Sequence, residues 1–129
     1  MKTQAIKIFD AWQEGEQTGN YEEFKSFLSD NFMLFTHPLL GKFEGINALH
    51  KMQELISERE KIKNNLTFSN IEISVNNKSI SIHFNSKGFV QNDAFPYEGF
   101  NIITFYFENN VLTGFQEYFG FIDTNWFKN

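Results

Sequence analysis

Glu117 stands in a row of phenylalanines. Read as a strand, the last segment of the chain puts Phe115, Glu117, Phe119 and Phe121 on one face, because successive strand side chains point to opposite sides. A carboxylate in such surroundings is costly to bury unless it has a partner or a task. The second residue able to do chemistry is His37, directly before Pro38. An imidazole titrates near neutral pH and can give or take a proton. Together His37 and Glu117 could form an acid–base dyad, with the carboxylate fixing the imidazole tautomer and the imidazole supplying the partner that burial demands. The opposing reading leaves His37 exposed at a strand end and Glu117 facing solvent or a subunit interface. Asn101 falls on the same face as Ile103 and Phe105. There it could orient a ligand carbonyl or hydroxyl, or satisfy the local backbone. Trp12 and Tyr97 are candidates for a pocket entrance, or plain core.

Composition excludes several other chemistries. The chain has 129 residues and no cysteine, so a disulfide framework, a thiolate metal site and a cysteine nucleophile are ruled out. His37, His50 and His83 have no shared-metal spacing, and no metal is expected. The net charge of −5, with no basic cluster beyond Lys61 and Lys63, argues against nucleic-acid binding. The first ten residues lack the apolar run of a secretory signal and no segment approaches a membrane span, so no membrane partner is expected and the cytoplasm is the expected location. No phosphate loop, dinucleotide fingerprint or nucleophile motif occurs, and acid–base chemistry by side chains needs no cofactor. The 17 phenylalanines offer large buried area and rigid walls for a core or pocket.

The elements that must position these residues follow from periodicity. Ala5, Ile8, Phe9 and Trp12 recur at helical spacing between Thr3 and Gln17, with Gly19 as the stop. Asn20 with Glu23 resembles a capping box opening a second short helix that carries Phe24, Phe27 and Leu28. Phe32 to Thr36 reads as a short strand ended by His37-Pro38, followed by a loop through Gly41 and Gly45. Ile46, Leu49, Met52, Leu55 and Ile56 predict the longest helix, to about Ile62, with Glu58-Arg59-Glu60-Lys61 as a solvated face. Beyond Asn64 the period becomes two. A change of parity between Phe68 and Ile71 predicts a bulge or bend near Ser69-Asn70. Turns are expected at Asn76-Asn77 and Asn109-Asn110, a strand from Ser79 to Gln91, a connection from Asn92 to Pro96, and two aromatic strands between Tyr97 and Asp123. Helices first and an antiparallel meander after them make an α+β architecture.

This order, with Gly-Lys-Phe-Glu-Gly (41 to 45) opening a long helix and Gln-Glu-Tyr-Phe (116 to 119) in the final strand, resembles the nuclear transport factor 2-like superfamily, in particular its SnoaL-like and ketosteroid-isomerase-like branches. The resemblance spans residues 1–129 as a single SnoaL-like domain. It implies a cone-shaped, strongly bent antiparallel sheet wrapped around the long helix, with a small apolar molecule bound inside. Trp12, Tyr97, Asn101, Ile103, Phe105, Phe115 and Phe119 are the candidate lining. It also implies a homodimer through the outer sheet face, here Phe100, Ile102, Thr104 and Tyr106 with Tyr118 and Ile122. The position of the isomerases' basic aspartate is His37. Their oxyanion stabilisers correspond to Trp12 and Ile103, which cannot serve, so steroid-type enolisation is not expected. The inner-wall acid of the polyketide cyclases corresponds to Glu117. Limonene-epoxide hydrolases of the superfamily need an Asp-Arg-Asp cluster, whereas the single arginine here, Arg59, lies near the end of the long helix. The reading that follows is an acid–base lyase, isomerase or cyclase using His37 and Glu117, against a non-catalytic binding or dimerisation domain filled by its own aromatic side chains.

Overall fold

The structure, a computed structural model, describes residues 1–121. Helix α1 (Lys2–Thr18) buries the stripe Ala5, Ile8, Phe9, Trp12 and ends at Gly19, whose φ of 80° is the left-handed conformation that suits glycine at a helix stop. Helix α2 (Glu22–Lys25) is a single turn that buries Phe24. The Asn20 side chain does accept a backbone bond, from the Glu22 N–H at 3.1 Å, but it lies one residue before the cap, Tyr21. The expected capping box is therefore an Asx turn.

Strand β1 (Leu34–His37) turns back into β2 (Gly41–Glu44), with His37 opposite Gly41. A loop is expected here from sequence. Four residues that alternate weakly carry little periodic signal, and it is the pairing with β1, made possible by Gly41 at φ 96°, that makes them a strand. Helix α3 (Ile46–Lys61) follows and packs on β1 and β2 through Ala48, Leu49, Met52 and Ile56. The long antiparallel strands are β3 (Asn65–Val75), β4 (Ser79–Val90), β5 (Phe95–Glu108) and β6 (Val111–Phe121). Between Ser69 and Glu72 the β3–β4 register shifts, with Asn70 at φ 52°, which is the bulge that the change of parity demands.

The sheet order is β2-β1-β6-β5-β4-β3. The sheet is mixed rather than purely antiparallel, since β6 runs parallel to β1. This connection places β6 between β1 and β5 in the sheet, and it is why Glu117 lies in the interior while the edge strand β3 is exposed over Ile71, Ile73 and Val75. The inner face, with Ile80, Ile82, Ile103, Phe105 and Phe115, closes on α1 and α3 in one core. No helix among the described residues is long and apolar enough to cross a membrane.

Candidate functional site

Four elements end around one group of charges. Glu16 follows Trp12 by four residues on the buried stripe of α1, and Arg59 follows Ile56 by three on the buried stripe of α3. His37 closes β1, and Glu117 projects from the middle of β6. Residues three and four apart share a helix face, so both helix charges are carried inward with the apolar residues. Tyr21 reaches the group by lying against Gly15, where an alanine methyl would stand 2.2 Å from the tyrosine ring. The glycine in the helix interior exists to admit that ring.

The arginine joins the two carboxylates. Arg59 Nη1 donates to Glu16 Oε1 at 2.5 Å and Nη2 to Glu117 Oε1 at 3.2 Å, while the guanidinium lies 5.1 Å from the centre of the Trp12 ring. Glu16 is fully partnered, because its Oε2 also accepts from the Tyr21 hydroxyl at 2.9 Å and from Asn64 Nδ2 at 3.3 Å. All these partners are donors, the pattern that an ionised carboxylate satisfies. Glu117 is different. Its side chain is 3 % exposed, Arg59 is its one donor within hydrogen-bond reach, and Oε2 has no hydrogen-bond partner among the described residues.

His37 faces Glu117 with Nε2 3.5 Å from Oε1. Its Nδ1 accepts the Leu39 N–H at 3.1 Å, so in the neutral ring Nε2 carries the proton. Burial, helped by the Arg59 charge, lowers the His37 pKa to about 4. The ring is consequently neutral at pH 7 and points a weak donor at Glu117. Its one lone pair is already committed to the backbone, which leaves it no acceptor for a substrate proton. Burial also raises the proton affinity of Glu16, against the pull of Arg59. Burial disfavours the charge on Arg59, but Glu16 and Glu117 outweigh it and hold the guanidinium charged.

A pH effect follows from His37. Its folded-state pKa lies below the unfolded value of 6.5, so the unfolded chain binds the extra proton. The stabilisation is complete above about pH 6.5 and falls away as pH drops toward 4, by up to roughly 3 kcal/mol. The raised Glu16 works in the opposite direction over the acid range, so the comparison to make is wild type against His37→Gln. We expect the wild type to lose the larger share of its stability between pH 6.5 and 4.5 in urea melts. The His37 ring resonances are expected to stay unshifted down to pH 5, and a midpoint near 6.5 would refute the assignment.

Beside this group lies an open pocket of about 270 Å³, lined by Glu16, Arg59, Leu66, Val90, Gln91, Tyr97, Asn101, Glu117 and Phe119. Of the residues that sequence singles out, Tyr97, Asn101, Phe119 and Glu117 meet here. Asn101 Oδ1 accepts from the Ser86 hydroxyl at 2.5 Å, and the Tyr97 hydroxyl joins Ser86 and Asn101 while burial raises its pKa. His37 is buried behind Glu117, with its ring against Phe35 and Phe119. Trp12, Ile103, Phe105 and Phe115 are 0 to 1 % exposed and belong to the core. Their rings and branches fill the space under the pocket instead of lining it.

Glu16, Tyr21, Asn64 and Arg59 are absent from the sequence-derived site. The solvated face expected of residues 58 to 61 holds for Glu58 and Lys61, which are exposed, but the Arg59 side chain turns inward and is 16 % exposed. The signal that could have found it is its place in the stripe Met52, Ile56, Arg59, matched by Trp12 and Glu16 on α1. Among the described residues no group of side chains could hold a metal ion.

No protein-family model matches the sequence, and neither does any curated protein sequence. Solved structures do match. A nuclear transport factor 2-like protein from Anabaena variabilis superposes with a TM-score of 0.75 at 20% identity, over 92% of this chain and 87% of its own. The fold is nuclear transport factor 2-like. A second protein of this fold, from Burkholderia pseudomallei, superposes at 0.70 with 13% identity over 92% and 89% of the two chains. An LEH-like epoxide hydrolase from M. tuberculosis does so at 0.64 with 13% identity over 92% and 84%. In this nuclear transport factor 2-like chain the carboxylates and arginine of the site come from α1, α3 and β6, so its one arginine is inside the site and not remote from it.

Proposed function

We propose that the pocket binds a small molecule and that Glu117 takes a proton from it. The observation that carries this reading is the Glu117 carboxylate itself: buried, in the pocket wall, held by Arg59 through one oxygen, with no hydrogen-bond partner for the other among the described residues. A base must be within reach of its proton, ionised and not already saturated with donors. Glu117 lines the pocket with one oxygen that has no donor among the described residues, whereas both Glu16 oxygens are engaged and His37 has no free lone pair. Glu16 is then the anchor that orients Arg59, and His37 stands behind Glu117 with Nε2 3.5 Å from Oε1 and without a hydrogen-bond partner among the described residues. The pocket lies just below the roughly 300–1,000 Å³ typical of sites for drug-sized molecules, so the ligand it suits is a smaller one. Leu66, Val90 and Phe119 supply its apolar walls.

A second reading has a specific observation in its favour. The carboxylate–arginine–carboxylate arrangement Glu16–Arg59–Glu117 can also hold a water molecule on Glu117; the base takes a proton from that water as its oxygen attacks carbon, a C–O bond of a strained ether breaks, and the alkoxide released takes a proton from solvent water. Both readings use the same base. They are separated by incubating the protein in D₂O with a panel of small ketones, esters and epoxides. Exchange of a carbon-bound proton seen by NMR supports the first, and diol formation supports the second. The absence of both from every member of the panel, with the pocket resonances of Tyr97 and Asn101 unmoved, would sink the enzyme reading and leave an inert domain.

We also propose that the outer face of β5 and β6 mediates self-association. Phe100, Ile102 and Tyr118 are 59, 38 and 47 % exposed, a patch of a kind that monomers seldom leave open. Ile122, counted with this face from sequence, lies outside the described residues. Sedimentation is expected to give a dimer at micromolar concentration, and Tyr118→Lys is expected to give a monomer. A wild-type monomer would refute it.

A further inference from the structure

We propose that the pocket takes a small organic cation, an amine or quaternary ammonium, with its positive end against the unpartnered oxygen of Glu117. The inference rests on the reading above only in requiring a ligand in this pocket and an ionised Glu117, and it does not require a proton to move.

The charges of the site do not cancel. Counted with both carboxylates ionised, the form that the donors around Glu16 suit, Glu16 and Glu117 each bring one negative charge and Arg59 one positive, while the His37 Nδ1 is occupied by the Leu39 N–H. One negative charge is left over, and it falls on the group with the fewest donors. Glu16 receives hydrogen bonds from Arg59, Tyr21 and Asn64, whereas Glu117 receives one from Arg59 at 3.2 Å and presents its other oxygen to no donor among the described residues. That oxygen is not among the buried unpartnered atoms, so it opens on the pocket, where a cation can offer it the counter-charge that water alone does not. The remaining charges at the mouth do not supply it. Lys63 and Asp93 are exposed and line the neighbouring cleft, where they offset each other and are screened by salt.

The walls fit the same ligand. Tyr97 and Phe119 line the pocket with Glu117, and an aromatic face attracts an ammonium while tolerating its methyl or methylene groups. The Tyr97 ring is held in place by Ser86 and Asn101 and over Gly99, where a methyl would come within 2.6 Å of its hydroxyl. An anionic ligand would meet the surplus negative charge and is excluded by it. A neutral ligand of the same shape would leave the Glu117 oxygen without a counter-charge.

The test is a pair of probes of equal shape and unequal charge, choline and 3,3-dimethyl-1-butanol, titrated into the protein at low salt and followed by NMR at the Tyr97 and Asn101 resonances. Choline is expected to bind at least about tenfold more tightly than the alcohol, and added salt is expected to narrow the gap. Glu117→Gln is expected to bring the two within about twofold of each other. Phe119→Leu is expected to weaken choline more than the alcohol, and it serves should the Gln variant fold poorly. Equal binding, tighter binding of the alcohol, or no shift with either probe at about 10 mM overturns the proposal. Proton exchange or diol formation that depends on Glu117 without cation selectivity would sink this inference alone, and selectivity with neither exchange nor diol formation would sink the base assignment alone.

Discussion

Replacing Arg59 with methionine is expected to destabilise the protein by about 3 kcal/mol or more at pH 7. The guanidinium separates two carboxylates that are almost wholly buried, Glu16 at 6 % and Glu117 at 3 % side-chain exposure. Methionine keeps an unbranched apolar side chain but removes the charge and the guanidinium that lies over Trp12. Two like charges are then left facing each other in a poorly solvated site, and removing one partner of a buried ion pair typically costs about 3–5 kcal/mol. The loss is expected to shrink as pH falls, because the orphaned carboxylates can take up protons. The triple variant Glu16→Gln, Arg59→Met, Glu117→Gln is expected to regain most of the stability, since buried ionic groups replaced together by neutral ones are often tolerated. Urea unfolding at pH 7 and pH 5 measures all of this. A loss within about 0.5 kcal/mol for Arg59→Met would show that the cluster is as hydrated as an exposed pair.

The Glu117→Gln variant is expected to lose activity while keeping its fold. Glutamine has the same shape, and its carbonyl oxygen can still accept from Arg59 Nη2. What disappears is the lone pair basic enough to take a proton, and general-base catalysis contributes roughly 100- to 10,000-fold. We expect the exchange or hydration rate found with wild type to fall by about that factor, with stability changed by less than about 1 kcal/mol. Stability changes little because Arg59 retains Glu16 and the cluster becomes neutral overall. Aspartate at this position would keep the charge but withdraw it from the pocket by one methylene, and an intermediate rate is expected. A Gln variant as active as wild type would put the base elsewhere, and Glu16, with both oxygens engaged by donors, would be a poor replacement.

Local chemistry was sufficient for much of the architecture. Asn109 and Asn110 both adopt positive φ, 50° and 63°, as a tight hairpin between aromatic strands requires and as asparagine permits. The parity change between Phe68 and Ile71 could be resolved only by a bulge. The stripe Ile8, Phe9 and Trp12 could bury itself only as a helix face. These are rules of neighbouring residues, and they can be read from neighbours. Strand β2 was not legible, because four residues have no period of their own and are ordered by β1. Nor was the parallel pairing of β6 with β1, which joins residues far apart in the chain.

Residue order alone is enough to put Glu117 among phenylalanines, to send Tyr97, Asn101 and Phe119 toward one face with it, and to join the strands carrying them through asparagine turns. Tertiary structure alone decided that the face is interior, by setting β6 between β1 and β5, and that His37 arrives behind Glu117 with its acceptor already used. It also decided the charge of the site. Glu16 and Arg59 are 43 residues apart, and each reads locally as a solvated helix charge. The ends of α1 and α3 converge on β6 because their apolar stripes share one core, and the two charges lying on those stripes are drawn in with them, where each is tolerable because the other is present.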